Sequence, residues 1–369
     1  MMNKSTRSFK INLFAIIVFG LIILASATSV VGYAHFGDNF YYLKHQLLYG
    51  LLPGVLLFFI CSRIPYRFWQ KNAWWLLLLT IILLLLVFIP GIGVSYNSAR
   101  SWINLGGFSL QPSELAKLIL LIYLAAFFTR LDARQAKTRE HVQSFAHGFL
   151  PFIFVTGLVA GLVALEPDVG TAAILGLIAL GAFFVAGAKI SHIIGLFVLG
   201  GGMLGILIAT ASYRLNRFLA FLKPETDMQG IGYHISQSLI AVGSGGLIGL
   251  GLGHSRQKFE YLPEVAGDSI FAVMAEEIGF IFCFLFLIAL LFLILKILKI
   301  SKYSSDNFVK IFGAGLAIWI GGQSIINIGA MLGILPLTGV PLPFISYGGT
   351  ALMTLMASAG ILVNMAENS

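Results

Sequence analysis

Charged residues are rare in this chain, so those that border or interrupt its apolar runs are the first candidates for chemistry. Asp268 stands at the start of the apolar run 270–295, where a carboxylate can take a proton from a hydroxyl. Glu276 and Glu277 lie deeper in the same run, roughly 12–13 Å further at 1.5 Å per residue. At about 100° per residue, Glu276 falls about 80° from Asp268 around a helix and Glu277 about 180°. The three carboxylates therefore cannot all face one substrate, and at least one glutamate is expected to hold a neighbouring helix. Glu114 and Lys117 sit three apart at the start of another run. From spacing alone they read as a helix-start pair with a snorkelling lysine. Arg100 and Trp102 occupy the polar stretch just before, where Trp102 reads equally as an interfacial anchor. Glu166-Pro167-Asp168 forms a tight turn in which Asp168 can cap the next helix. Gln237, Lys258 and Glu264 belong to a long polar stretch, 212–268, too long to be an idle loop.

The elements that must hold these side chains are membrane helices. The chain has 369 residues, of which 58% are hydrophobic and 10% charged, and its mean hydropathy is +0.94. Soluble domains run about 45–50% apolar and about 25% charged, so a soluble globular protein is excluded. Apolar runs fall at 13–34, 46–62, 74–92, 113–129, 149–165, 169–187, 192–211, 270–295, 311–334 and 346–365. At about 20 residues per crossing this predicts an all-α, polytopic protein with about ten transmembrane helices. It is expected to form a single domain over 1–369, with 212–268 as a large outer loop between spans 7 and 8. Lys4, Arg7 and Lys10 precede the first run, and Ala25-Ser26-Ala27 looks like a leader cleavage site. Apolar character continues to Ala34, however, so this run is expected to span.

The net charge of +8, from 23 basic and 15 acidic residues, is explained by its placement. With the N-terminus inside, 15 basic residues fall in inner segments and 8 outside, which predicts both termini in the cytoplasm. The excess is a topology signal, and nucleic acid is not expected as a partner. Cys61 and Cys283 lie in apolar runs with no zinc or redox spacing. The glycine-rich passage Gly243 to Gly253 matches neither GxxxxGK[ST] nor a strand-to-helix GxGxxG. It reads as close helix packing or a re-entrant turn, and no nucleotide is expected.

Several motifs together resemble the FtsW/RodA (SEDS) family. Arg100-Ser101-Trp102-Ile103-Asn104-Leu105-Gly106, followed by Gln111-Pro112-Ser113-Glu114-Leu115-Ala116-Lys117, resembles the family's first outer loop. Glu166-Pro167-Asp168-Val169-Gly170-Thr171, Gln237-Ser238-Leu239-Ile240-Ala241 and Tyr261-Leu262-Pro263-Glu264 follow in the family's order. Asp268-Ser269-Ile270-Phe271-Ala272 with Glu276-Glu277, and Pro341-Leu342-Pro343-Phe344-Ile345-Ser346-Tyr347-Gly348-Gly349, complete the series. Two departures stand out. Val265-Ala266-Gly267 replaces the common Ala-His-Thr, and Ser109 and Thr338 stand where some relatives carry a basic residue.

The resemblance implies a peptidoglycan glycosyltransferase that polymerises lipid II on the outer face of the bacterial inner membrane, with inversion at the donor carbon. It implies Asp268 as catalytic base and Lys117, Arg100, Trp102, Glu264, Gln237 and Lys258 as substrate-binding residues. Glu114, Asp168, Glu276 and Glu277 are expected to be structural or supporting. A divalent cation, Mg²⁺ or Mn²⁺, is implied, although the residues show no cage for it. The implied partners are lipid II, the nascent glycan on undecaprenyl diphosphate, a class B penicillin-binding protein and other divisome proteins. The stretch 257–264 resembles the division branch more than the elongation branch, which points to the septum. Two other classes stay open: a lipid II flippase using Glu276 and Glu277, and a non-enzymatic division scaffold.

Overall fold

The computed structural model of the chain describes residues 2–96, 99–104, 106, 108–133, 142–209, 212–227 and 230–368. Leu105 of the first loop motif and the basic residues Arg134, Lys137 and Arg139 lie outside them. Each of the ten apolar runs falls on a helix, as expected where only internal hydrogen bonds can satisfy the backbone. The first seven segments are α1 (Met2–Ala27), α2 (Ser29–Phe36), α3 (Tyr41–Gln46), α4 (Leu52–Arg63), α5 (Tyr66–Leu86), α6 (Pro112–Ala133) and α7 (Leu150–Leu165). The rest are α8 (Val169–Val185), α9 (Ile190–Ala209), α10 (Ser212–Leu222), α11 (Ile231–Ser244), α12 (Ile270–Tyr303), α13 (Asn307–Met331) and α14 (Gly349–Asn368). A π-helical turn, Leu47–Leu51, joins α3 to α4 in one span, and Phe145–Phe149 leads into α7 in the same way. Among the described residues, seven helical segments are long and apolar enough to cross a membrane, and Val169–Val185 and Ile190–Gly202 are shorter apolar helices. The remaining run, 113–129, is α6, which carries Glu114 and Lys117.

The span windows of α13 and α14 are 67% and 89% buried, against 22–39% for the other five long spans. These two helices, with the mostly buried α6, are therefore the central pillar, and the other five long spans face outward over much of their length. Small residues let the pillar close: a Cβ at Gly360 of α14 would collide with the Phe58 carbonyl of α4. The segments expected inside meet at one end, through Tyr66 Oη to Asp306 (2.9 Å), Asn364 to the Tyr66 backbone N–H (2.8 Å) and Lys10 to Glu367 (2.8 Å). The segments expected outside meet at the other, hereafter the loop end.

Two features at the loop end differ from the sequence reading. The polar stretch before α6 is a small antiparallel sheet, β1 (Gly93–Tyr96), β2 (Ala99–Asn104) and β3 (Ser109–Leu110), in that order. Backbone groups there need partners, and strand pairing supplies them within a short segment. The stretch 212–268 is not one loop either. It contains α10 and α11, with a 3-10 turn at Pro224–Thr226 between them, and a last part, 245–268, without regular helix. That last part is clamped to a break in α12. Gly279 adopts φ 76°, ψ 179°, which only glycine takes readily. Across the break, Leu250 and Gly251 donate to the carbonyls of Glu276 and Glu277 (3.0 and 2.9 Å). Phe280 and Ile281 donate back to Gly246 and Leu247 (2.9 and 3.1 Å). Side chains at Gly245 or Gly249 would strike this backbone, so the glycine passage serves close approach.

Candidate active site

Asp268 is half-buried just before α12, and its segment is tied down from three sides. Asn327 of α13 donates to the Asp268 carbonyl (2.9 Å) and also to the Val340 carbonyl (2.8 Å). Ser346 donates to the Gly267 carbonyl (2.7 Å), and the Tyr347 N–H to the Ala266 carbonyl (2.8 Å). On the α11 side, Ser269 Oγ donates to the Pro263 carbonyl (2.7 Å) and meets His234 Nε2 at 2.6 Å. The proline-rich turn 335–347 is thus a brace for the backbone that carries Asp268.

The same helix, α13, reaches the second charged group. Lys117 is buried, with its ammonium 2.7 Å from Glu114 and 3.1 Å from Gln323 Oε1. The Trp319 ring lies 5.3 Å away, and its indole N–H donates to the same amide oxygen (2.8 Å). Gln323 Nε2 in turn donates to the Pro341 carbonyl (2.7 Å). Gln323 and Asn327 are one turn apart, a rise of about 6 Å. One helical face therefore links the Lys117 ammonium, the 340–341 turn and the Asp268 backbone.

The other residues singled out from sequence take the following places. Asp168 caps α8 through the Thr171 N–H (2.9 Å), and Gln111 Nε2 lies 3.5 Å from its other oxygen. A Cβ at Gly170 would meet Thr338 and Val340, so this turn packs on the same brace. Half-buried Arg100 donates its Nε to the Gly93 carbonyl (3.3 Å), and Trp102 pairs with Val94 across β1 and β2. Gln237 is half-buried on α11. Glu264 is exposed, and its carbonyl accepts from Gly267 and Ser269 (2.9 and 3.2 Å). Lys258 is buried in an ion pair with Glu277 (2.8 Å), whose other oxygen accepts from Ser26 (2.5 Å). Glu276 accepts from Ser255 (2.5 Å) and from the backbone of Arg256 and Gln257 (3.0 and 3.3 Å). The two glutamates and Lys258 together anchor 253–258 to α12, away from the Asp268 brace. Beside the Asp168 turn, both oxygens of buried Glu166 have no hydrogen-bond partner among the described residues. Burial, then the neighbouring Asp168, pushes its pKa up to about 9, so it is neutral at pH 7.

Sequence reasoning missed Asn327, Gln323, Ser346 and His234. Gln323 and Asn327 did leave a signal, two amides four apart in an apolar run, where lipid-facing polar groups are costly. For a metal the fit is poor. Oxygens without a hydrogen-bond partner, such as Glu114 Oε2, Asn327 Oδ1 and Thr338 Oγ1, suit a hard cation by type. Yet among the described residues no group of three or more His, Cys, Asp or Glu converges. These residues do not build a resident divalent site.

Ten apolar helical segments, with a half-buried carboxylate at the loop end braced by a proline-rich turn, define a polytopic membrane protein. The family described as "Cell cycle protein", which groups FtsW, RodA and SpoVE, matches residues 6–369. The chain belongs to this family. It is 38% identical over 355 residues to stage V sporulation protein E of Bacillus subtilis (strain 168), covering 96% of this chain and 94% of that one. It is 39% identical over 376 residues to the probable peptidoglycan glycosyltransferase FtsW of Coxiella burnetii (strain RSA 493 / Nine Mile phase I), covering 99% of each. Among solved structures, a chain of a peptidoglycan synthase complex that coordinates polymerization and crosslinking matches with TM-score 0.78 and 26% identity, covering 98% and 97%. The rod shape determining protein RodA of Thermus thermophilus matches with TM-score 0.70 and 26% identity, covering 98% and 96%.

Proposed function

We propose that the chain is a peptidoglycan glycosyltransferase that polymerises lipid II, with Asp268 as the general base. The observation that carries this reading is the bracing of the Asp268 backbone by Asn327, Ser346 and Tyr347. A general base must be held at a fixed distance from the proton it takes. In the proposed step Asp268 accepts the proton of the acceptor's C4 hydroxyl as that oxygen attacks the donor's anomeric carbon. The bond from that carbon to the diphosphate breaks, and polyprenyl diphosphate leaves with its electron pair. Arg100 and Trp102 at the sheet, and Gln237 and Glu264 beside the Asp268 segment, are the proposed substrate contacts. Lys117 supplies positive charge from the floor of the site, moderated by Glu114. Lys258 acts on substrate through the loop it holds. A Mg²⁺ or Mn²⁺ ion would arrive with the diphosphate, and no step here depends on it.

The fold and family support a multi-pass membrane protein, and the proposed setting is the bacterial inner membrane at the division septum, beside other divisome proteins. Crosslinking is assigned to a class B penicillin-binding protein as partner. A flippase reading leaned on Glu276 and Glu277, and both are occupied in anchoring 253–258. The test is incubation of the purified protein, alone and with its cognate transpeptidase, with labelled lipid II. Polymer in either tube is the expected result. None in both, with a folded partner, overturns the proposal.

A further inference from the structure

A line of aromatic rings runs from the Asp268 segment along the start of the second span. Tyr347, whose N–H is bonded to Ala266 two residues before Asp268, places its hydroxyl 2.7 Å from His45 Nδ1. Its ring meets Tyr42 edge-on at 5.1 Å. In one direction His45 lies 4.5 Å from Tyr49, which stacks on Phe108 beside β3 at 5.9 Å. In the other, Tyr42 meets Tyr41 at 5.6 Å, and Tyr41 stacks on Phe36 at 3.7 Å. Tyr42, His45, Tyr49, Phe108 and Tyr347 are all half-buried, packed along one edge and open along another. Tyr42 also lies within electrostatic reach of Glu264.

Interfacial belts place aromatic residues singly around a bundle, each facing headgroups. Here rings from three separate chain segments touch one another in a row whose middle, at Tyr347, is bonded to the backbone two residues before Asp268. Such rings combine a flat apolar face with a polar tip. A pyranose offers the complement, a face of C–H groups rimmed by hydroxyl and N-acetyl groups. We propose that this row is a binding track for the N-acetylated nascent glycan, with Tyr347 and Tyr42 nearest the reacting sugar and Tyr49 and Phe108 further along. The inference rests on the glycosyltransferase reading but concerns binding alone, so the two can fail separately.

The test uses the full chain in detergent and a soluble β-1,4-linked N-acetylglucosamine tetramer, with saturation-transfer NMR as readout. The parent and Asp268→Asn proteins are expected to bind it alike. Tyr42→Ala/Tyr49→Ala is expected to weaken binding by roughly tenfold, as loss of two ring contacts implies. Tyr42→Phe/Tyr49→Phe, which keeps the rings, is expected to bind within about threefold of the parent. A photoreactive tetramer should label 36–49 and Tyr347 in the parent, a readout that needs no variant to fold. Binding without any polymer from lipid II would leave the track standing and remove the polymerase reading. No tetramer binding by the parent, labelling elsewhere, or equal binding by a folded alanine variant would overturn the track.

Discussion

Asn327→Leu is the perturbation that best separates a braced base from a merely well-packed helix mouth. The substitution is close in volume and removes both donors, leaving the carbonyls of Asp268 and Val340 without their bonds from α13. An unsatisfied buried acceptor costs about 1–3 kcal/mol. Val340 is 2% exposed, so its carbonyl bears most of that cost, whereas Asp268 is half-buried and water can reach its backbone. The expected destabilisation is about 2–4 kcal/mol, well short of unfolding a bundle this size. The effect on turnover should be larger than that loss suggests. A displacement of about 1 Å at a catalytic group can cost about 10²-fold, and the segment would lose its tie to α13 while Ser346, Tyr347 and Ser269 still held it from the other sides. Two assays decide the matter: thermal unfolding in detergent, and initial rates of lipid II polymerisation across substrate concentration. The expected pattern is a modest loss of stability, kcat lower by about 10²-fold and a nearly unchanged KM. A variant that loses stability while keeping parental kcat would show that Asn327 is only a strut. An unchanged stability would refute the two hydrogen bonds themselves.

Asp268→Asn keeps the shape of the side chain but removes proton acceptance, so polymerisation should fall about 10²–10⁴-fold with expression intact; a parental rate would end the assignment. Lys117→Met leaves Glu114 buried beside Gln323 without its cation and should destabilise by about 3–5 kcal/mol. Adding Glu114→Gln should recover much of the stability but not the activity; recovery of both would make the pair purely structural. Glu166 has a folded pKa of about 9 against 4.5, so the folded state binds more protons in that window and stability falls as pH rises through it. Glu166→Gln should therefore flatten the thermal stability profile between those values, and an unchanged slope would show that Glu166 is ionised in the fold. A reporter after Ala136 should read cytoplasmic and one after Asp227 extracytoplasmic; the reverse at either point would place the site on the wrong face.

Contacts between near neighbours along the chain are legible in the residue order alone. Ten apolar runs specify ten helical segments because lipid leaves the backbone no other partners. The Glu114–Lys117 pair and the Asp168 cap are contacts within three residues, so helical geometry alone brings them together. The angle between Glu276 and Glu277 was likewise readable before any packing was known, and in the structure they serve different partners. Tertiary structure decided everything that joins distant segments. Lys258 reads from sequence as a substrate cation, yet an ammonium buried at α12 requires a carboxylate, and Glu277 provides it. The polar stretch before α6 reads from sequence only as an ordered outer loop, and its strand pairing follows from backbone groups that have to find donors and acceptors. Asn327 shows only as a polar residue in an apolar run. That it spans 59 residues to hold Asp268, and 13 to hold Val340, follows from which face of α13 the pillar turns toward the loop end. Local periodicity gives each helix a face, but the choice of neighbour for that face depends on how all the helices pack together.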